Sequence, residues 1–383
     1  MRRIAYIHQR SDWPRFTWNH EKLGPMLAHV RHRQGRLIGR MEGLGFVSQN
    51  EAVLATLTLD VLKSSEIEGE MLNPDQVRSS IARRLGIDIA GAIPAAVAKT
   101  GDVEGVVEMM LDATQQFADP LTQERLFGWH AALFPTGYRG IHPVRVGGWR
   151  DDSKGAMQVI SGPISRERVH FEAPAAKRLQ HEMDAFLAWV NTANNPSGEA
   201  VIDPVLKAAV AHLWFVTIHP FDDGNCRIAR AIADWALARS EGSSQRFYSM
   251  SSQIRAERSE YYDMLEHTQQ STLDISDWLE WFLACLDRAI TTTETTLGAV
   301  FRKASLRDKW DKNAAGTINE RQKKMLNKLF DGFEGKLTSS KWAIIAKCSQ
   351  DTAQRDIQGL IDQAILVKNA AGGRSTRYSL VDA

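Results

Sequence analysis

The chain has 383 residues, 43% hydrophobic and 24% charged, with 47 Lys and Arg against 46 Asp and Glu. That is enough apolar sequence for two or three domains with buried cores, and it contains no internal repeat or low-complexity tract. No apolar run reaches membrane-spanning length, the opening lacks the apolar centre of a signal peptide, and Cys226, Cys285 and Cys348 have neither zinc-site spacing nor an even count, so a cytoplasmic protein without membrane, zinc or disulfides is expected.

Residues 1 to about 45 carry Trp13, Phe16, Trp18 and a basic, histidine-rich stretch from His29 to Arg40, which reads as a solvated amphipathic helix. Ser48 to Gly69 has apolar residues at helical spacing and ends at a glycine, so a helix is predicted that gathers Glu66, Glu68 and Glu70 at its end. Such an acidic end opposes its own helix dipole; it is either a solvated cluster or one that invites a cationic partner. Between Gly147 and Pro174, two β-rich stretches, Met157–Ile160 (Met157, Gln158, Val159, Ile160) and Arg168–Phe171, flank a Gly-Pro turn and predict a hairpin. Asp203 to Ile218 has the apolar spacing of a buried helix, and Pro220 stops it with His219 left at its end. Asp222-Asp223-Gly224-Asn225 is turn chemistry, and helical periodicity resumes at Cys226.

Helix, tight loop, helix is a useful arrangement around a phosphate. Backbone N–H groups at the start of the second helix lack internal partners and carry the positive end of its dipole, so they cradle anionic oxygens. Arg227 and Arg230, three residues apart, share a face and extend that cradle. Asp223 offers a hard oxygen for Mg²⁺, and His219 titrates near neutrality, as a general base for a hydroxyl must.

The segment from His219 to Arg230, HPFDDGNCRIAR, resembles the signature of the Fic/Doc family, His-x-Phe-x-(Asp/Glu)-Gly-Asn-Gly-Arg-x-x-Arg. It agrees at His219, Phe221, Asp223, Gly224, Asn225, Arg227 and Arg230 and departs at Cys226, where the family has glycine. The resemblance implies transfer of AMP from ATP to a Ser, Thr or Tyr hydroxyl of a protein, with His219 deprotonating the acceptor and Asp223 holding Mg²⁺. Gly224, Asn225, Cys226 and the loop amides would bind around the α-phosphate, Arg227 and Arg230 would hold the outer phosphates, and Phe221 would anchor the loop on the core. Cys226 leaves two cases open. If the backbone there needs a positive φ, a side chain is strained and crowds the phosphate; if the position is already helical, cysteine is tolerated. A thiol at a helix N-terminus also tends to a lowered pKa, which admits a reactive role.

Beside that signature, Ser64-Ser65-Glu66-Ile67-Glu68-Gly69 resembles the family's inhibitory motif, (Ser/Thr)-x-x-x-Glu-(Gly/Asn), with Ser64, Glu68 and Gly69 at the defined positions. The resemblance implies that Glu68 pairs with Arg230 and displaces the γ-phosphate. The predicted hairpin resembles the family's flap, whose edge holds the target by strand addition. Tyr261 and Tyr262 stand where the family often has aromatic residues near the nucleotide, and read equally as core or rim. The opening region resembles the accessory segment of many bacterial members.

Asp311 to Gly316 reads as a linker. Beyond it, predicted helices at 320–330, 339–347 and 351–363 and strands at 365–368 and 376–380, around a glycine-containing turn at 370–374, follow the order of a winged helix-turn-helix domain. Residues from 301 onward contain 16 Lys and Arg against 9 Asp and Glu, leaving 31 and 37 for the remainder. A basic tail on an acidic body admits DNA contact, while Asp351, Asp356 and Asp362 put negative charge on the proposed reading helix and favour phosphate contacts over base readout.

The expected fold class is therefore mainly α: a Fic-type helical core at 100–300 with a β-hairpin flap, an N-terminal accessory region at 1–99 with an inhibitory helix at about 48–69, and a C-terminal winged helix at 317–383. The expected activity is Mg²⁺-dependent protein AMPylation restrained by Glu68, with ATP as substrate and a protein target, the chain itself included, as acceptor. Removal of AMP from a modified protein, with Glu68 orienting water, stays open, as do a DNA-binding regulator with a nucleotide-sensing core and a homodimer.

Overall fold

The computed structural model describes residues 6–43, 46–89, 93, 101–153, 155–162, 166–192, 202–313, 318–330, 337–369 and 376–381. Its architecture is mainly helical, in two compact units, Met1–Glu294 and Thr295–Ala383. In chain order the elements are α1 His20–Glu42, α2 Phe46–Ile67, α3 Pro74–Leu85, α4 Gly101–Gln115, α5 Gln123–Leu133, β1 Tyr138–Arg139, β2 His142–Pro143, β3 Gln158–Ser161, β4 Arg168–Glu172, α6 Leu179–Asn191, α7 Pro204–Ile218, α8 Asn225–Glu241, α9 Met250–Ala256, α10 Arg258–Gln269, α11 Ser276–Asn313, α12 Glu320–Phe330, α13 Ser339–Ala346, α14 Gln350–Asp362, β5 Leu366–Lys368 and β6 Tyr378–Leu380. Among the described residues the strands form three two-stranded antiparallel sheets, β1–β2, β3–β4 and β5–β6.

The centre of the first unit is the hairpin of α7 and α8. Helix α7 is apolar all round, as a fully buried helix must be, and only its lysine at 207 and its first proline reach the surface. Asp203 caps it by accepting from the Val205 N–H, and Pro204 at the first helical position needs no N–H partner. It ends at His219, which takes the left-handed conformation at φ 51°. Helix α8 follows after a six-residue connection and is rich in buried alanine (Ala229, Ala231, Ala233), which lets neighbouring helices approach its backbone closely while preserving strong helix propensity. Helices α2 and α4 pack on it. The predicted helix at 48–69 is thus α2, which stops at Ile67; Glu68 and Gly69 form a turn in which Gly69 has φ +84°, a conformation that favours glycine.

Two local expectations change. Met157 precedes β3 rather than belonging to it, although its carbonyl still accepts from the Ala173 N–H at 2.9 Å. Asp311–Asn313, expected to open a linker, are the last residues of α11, while 314–317 lie outside the described residues. No helix among the described residues is long and apolar enough to cross a membrane.

The second unit has its own core, built on Trp342, Ile357, Leu360, Leu366 and Tyr378. Thr338 and Ser349 cap α13 and α14 through their hydroxyls, Lys347 turns the chain between them at φ 52°, and Leu337 bridges to Tyr378 of β6. Three helices followed by a hairpin is the predicted element order, with the 370–374 turn outside the described residues. Asp356 does not charge the exposed face of α14: it is buried and holds Arg321 at 3.0 Å and the Asn319 amide at 2.8 Å.

Candidate active site

The site starts where α7 ends. The His219 Nδ1–H donates to the Val216 carbonyl at 3.3 Å, which leaves Nε2 as the unprotonated ring nitrogen. Burial, reinforced by the nearby Arg150 guanidinium, depresses its pKa to about 4, so the ring is neutral at pH 7. His219 is half-buried and Phe221 wholly so. Phe221 stacks face to face on His130 with centroids 4.1 Å apart, the anchor role expected of it. His130 in turn reaches the Asp223 carbonyl at 3.2 Å, and burial lowers its pKa to about 4 as well.

Arg150 is the main residue that local patterns missed. Its buried guanidinium donates to the carbonyls of His219 at 2.8 Å and Pro174 at 2.6 Å, while its own N–H donates to the Pro220 carbonyl at 2.9 Å. One side chain thereby ties the loop to Pro174, two residues beyond the end of β4. Asn225 clamps the same loop from within: its Oδ1 accepts from the Phe221 N–H at 2.9 Å and its Nδ2 donates to the Phe221 carbonyl at 2.8 Å. That side chain is buried and occupied at both ends, so what Asn225 presents to an anion is its backbone N–H. Gly224 precedes it at φ +78°, with Phe134 Cε2 only 3.0 Å from where a Cβ would sit. The first helical bond of α8 runs from Ile228 N–H to the Gly224 carbonyl, so the amides of Asn225, Cys226 and Arg227 point out of the helix end.

Cys226 lies inside α8 and is not among the positive-φ residues, which settles the open question of its backbone in favour of ordinary helix. Its thiol is not activated: burial, then the Glu68 carboxylate, push its pKa up to about 12.

Both arginines meet carboxylates. Arg230, 2% exposed, lies 2.9 Å (Nη1) from Glu68 Oε1 and donates to Ser64 through Nε to the hydroxyl (3.0 Å) and Nη2 to the carbonyl (2.8 Å). The charge contact is off-axis, so neither atom gains a hydrogen bond from it. Burial is the largest influence and works against the Arg230 charge, but Glu68 together with Tyr261, Cys226 and Tyr262 outweighs it and the pKa is raised. Arg227, 3% exposed, holds Glu70 at 2.6 Å. Tyr262 reaches Glu68 Oε2 at 3.4 Å and lies under the Arg258 guanidinium. Tyr261 departs from the rim reading: it is fully buried and its hydroxyl pairs with His212 Nε2 at 2.9 Å.

Asp223 is partly exposed. Its Oδ1 accepts from the Gly224 N–H and its Oδ2 pairs with the half-exposed Arg139 of β1, each at 2.6 Å. Among the described residues no three His, Cys, Asp or Glu side chains gather to hold a metal. A single carboxylate whose outer oxygen already attracts a displaceable cation fits Mg²⁺ that takes its other ligands from phosphate and water. Beside it runs a groove of about 720 Å³ between Arg139, Arg145, Asp222 and Asp223 on one side and Met157, Gln158 and Ile160 on the other. Ile160 is 49% exposed, and β3 pairs only with β4 among the described residues. The hairpin is held on the body by α10: Glu266 accepts from His170 Nδ1–H and from Arg168, each at 2.6 Å, and His170 Nε2 accepts from the Ser161 hydroxyl.

The loop, the arginine pair and the helix end together carry the family signature, and residues 120–237 match the profile described as "Fic/DOC family". This segment is a Fic/DOC family domain. Ahead of it, residues 6–87 match a domain of unknown function, DUF4172. The chain is similar to a uridine 5'-monophosphate transferase of Xanthomonas campestris pv. campestris, 30% identical over 121 residues, 31% of this chain and 21% of the relative. A longer stretch is similar to a protein adenylyltransferase Fic of Aedes aegypti, 24% identical over 71% of this chain and 50% of the relative. The chain thus spans half or less of these curated relatives. A crystal structure of a Fic family protein from Desulfovibrio desulfuricans G20 superposes with a TM-score of 0.52 at 19% identity, covering 94% of this chain and 97% of that one, a likeness of fold.

Proposed function

We propose that this chain is a protein adenylyltransferase whose nucleotide site is closed by its own Glu68. The observation that carries the reading is the convergence of a neutral imidazole, three outward amides and two buried arginines on one helix start. The acceptor hydroxyl attacks the α-phosphorus while its proton passes to His219 Nε2; the bond from the α-phosphorus to the bridging oxygen breaks and pyrophosphate leaves. The amides of α8 and the guanidinium of Arg227 stabilise charge on the phosphate oxygens, and Arg230 holds the outer phosphate once Glu68 has moved. Mg²⁺, held by Asp223, supplies charge neutralisation when bound. The relatives named as an adenylyltransferase and a uridylyl-type transferase support nucleotidyl transfer as the reaction class. The groove beside β3 supports an extended acceptor segment laid along its edge. Intact-mass measurement after incubation with Mg·ATP tests this: an adenylyl adduct on Glu68→Gly that is absent from Glu68→Gly/His219→Ala is expected, and equal labelling of the two rejects it.

For the second unit we infer DNA contact by a winged helix. Burial of Asp356 supports it, since the middle of α14 then exposes Gln354, Arg355 and Gln358, and the remaining exposed acidic residues, Asp351 and Asp362, stand at its two ends. Binding of the full chain to labelled duplex should weaken steeply with salt, and Arg355→Ala should lessen that salt dependence; duplex affinity that is insensitive to both rejects the reading.

A further inference from the structure

Glu68 is not the carboxylate that closes the phosphate site alone. Gly69, at φ +84°, reverses the chain just past α2, and the N–H groups of both Glu68 and Glu70 donate to the Ser65 carbonyl at 3.0 Å. This tight turn delivers one carboxylate on each side of a glycine. Arg227 and Arg230 are three positions apart on α8, so their heads share a face of one helical turn. Glu68 meets Arg230 at 2.9 Å and Glu70 meets Arg227 at 2.6 Å.

The state of Arg227 makes the second contact informative. Its guanidinium lies 5.2 Å from the centroid of the Phe134 ring. Only Nη1 finds Glu70, whereas Nε and Nη2 are buried without a hydrogen-bond partner. Buried donors left unpaired are costly, and a tetrahedral phosphate with several oxygens satisfies more of them than one carboxylate that approaches from the rim. Glu70 itself is 34% exposed, so it neutralises Arg227 without completing its shell.

We propose that Glu70 is a second phosphate mimic, which occupies Arg227 as Glu68 occupies Arg230, and that the pair sets how long a phosphate chain the site admits. The proposal rests on the reading of this helix start as a nucleotide-phosphate site. With both carboxylates in place only the amide cradle is open, which suits a nucleoside monophosphate. Loss of Glu68 frees the outer arginine alone, and only loss of both lets a triphosphate engage the full row. Full engagement of a triphosphate therefore takes displacement of the whole 68–70 turn, and loss of Glu68 alone opens the site in part.

Calorimetry of the full chain with Mg·ATP and with AMP tests this on wild type, Glu68→Gly, Glu70→Gln and Glu68→Gly/Glu70→Gln. The double variant is expected to bind ATP about tenfold more tightly than Glu68→Gly, with AMP affinity changed by less than about twofold. ATP affinity in the double variant within about twofold of Glu68→Gly, or an equal gain for AMP, overturns it. If Glu68→Gly itself fails to gain ATP affinity over wild type, the Glu68 assignment fails, and the comparison of Glu70→Gln with wild type still reads Glu70 separately. Glu70 is a partly exposed turn residue and glutamine keeps its size, so matching circular dichroism of the four proteins is expected and excludes misfolding as the cause.

Discussion

Replacing Glu68 by glycine sets two opposed effects on one residue. Arg230 is 2% exposed and loses its anionic partner, while keeping both contacts to Ser64. Breaking a well-buried ion pair costs about 3–5 kcal/mol. Glu68 is 20% exposed and its contact with Arg230 is off-axis, so a loss of about 2 kcal/mol is the better figure for this pair. For a unit of this size that corresponds to a fall in Tm of roughly 4 °C without ligand. The vacated guanidinium is then available to phosphate, and ligand at about 100 times its Kd returns about 2.7 kcal/mol, enough to raise Tm by roughly 5 °C. Differential scanning fluorimetry with and without Mg·ATP, with intact mass recorded on the same samples, reads both effects. Glu68→Gly should melt below wild type when free, gain more from Mg·ATP than wild type does, and acquire adenylyl adducts; adding His219→Ala should abolish the adducts and leave the ATP-induced gain. A Glu68→Gly protein as stable as wild type, with no larger response to ATP, refutes the reasoning, because Arg230 would then not depend on Glu68.

The pH profile follows from the burial of His219. Folding moves its pKa from 6.5 to about 4, so the unfolded chain takes up the proton first as pH falls, and the stability contributed above pH 6.5 is lost between 6.5 and about 4. The transfer rate of Glu68→Gly should accordingly stay level from neutral pH down to about 5 and fall only near 4; a half-maximum close to 6.5 would mean that the ring is solvated. Asp60 of α2 has the opposite sign. Burial, then repulsion from Asp234, raises its pKa from 3.8 to about 8, so its contribution is complete below 3.8 and drains away as pH rises towards 8. Asp60→Asn keeps the acceptor for the Ser249 hydroxyl and the Ser251 N–H and should match or exceed wild type in denaturant midpoint at pH 8; a clear loss there would show that the carboxylate is ionised and needed. Cys226→Gly should cost up to about 1 kcal/mol in the same measurement and leave ATP affinity unchanged, since the position is ordinary helix; tighter ATP binding would restore the crowding explanation.

The loop from His219 to Arg230 was legible because its constraints are local. A proline stop, a positive-φ glycine and a helix restart are each written within a few positions, and together they set where the imidazole, the amides and the two arginines stand. Tyr261 and Tyr262 could not be separated on the same basis. Adjacent residues on a helix point about 100° apart, and which one faces His212 in the core depends on how α10 docks. The linker reading of Asp311–Asn313 failed for a related reason: polar composition at the end of a long helix looks like composition between domains.

What controls the loop is not local at all. Arg150 reaches His219 across 69 positions, Arg139 reaches Asp223 across 84, and Glu70 reaches Arg227 across 157. Nothing in the residues around 150 or 139 shows that Arg150 is a buried clamp and Arg139 a half-exposed partner of Asp223; only the completed packing does. Glu66 and Glu70 make the same point within one cluster. Glu66 lies within the inhibitory motif and Glu70 just beyond it, yet Glu66 pairs with Lys63 and Arg255 on the outside of α2, whereas Glu70 turns back through Gly69 onto α8. Helical spacing would put these two residues, four apart, on one face; the left-handed turn at Gly69 sends them in different directions, so which of the clustered glutamates meets Arg227 is decided by the turn.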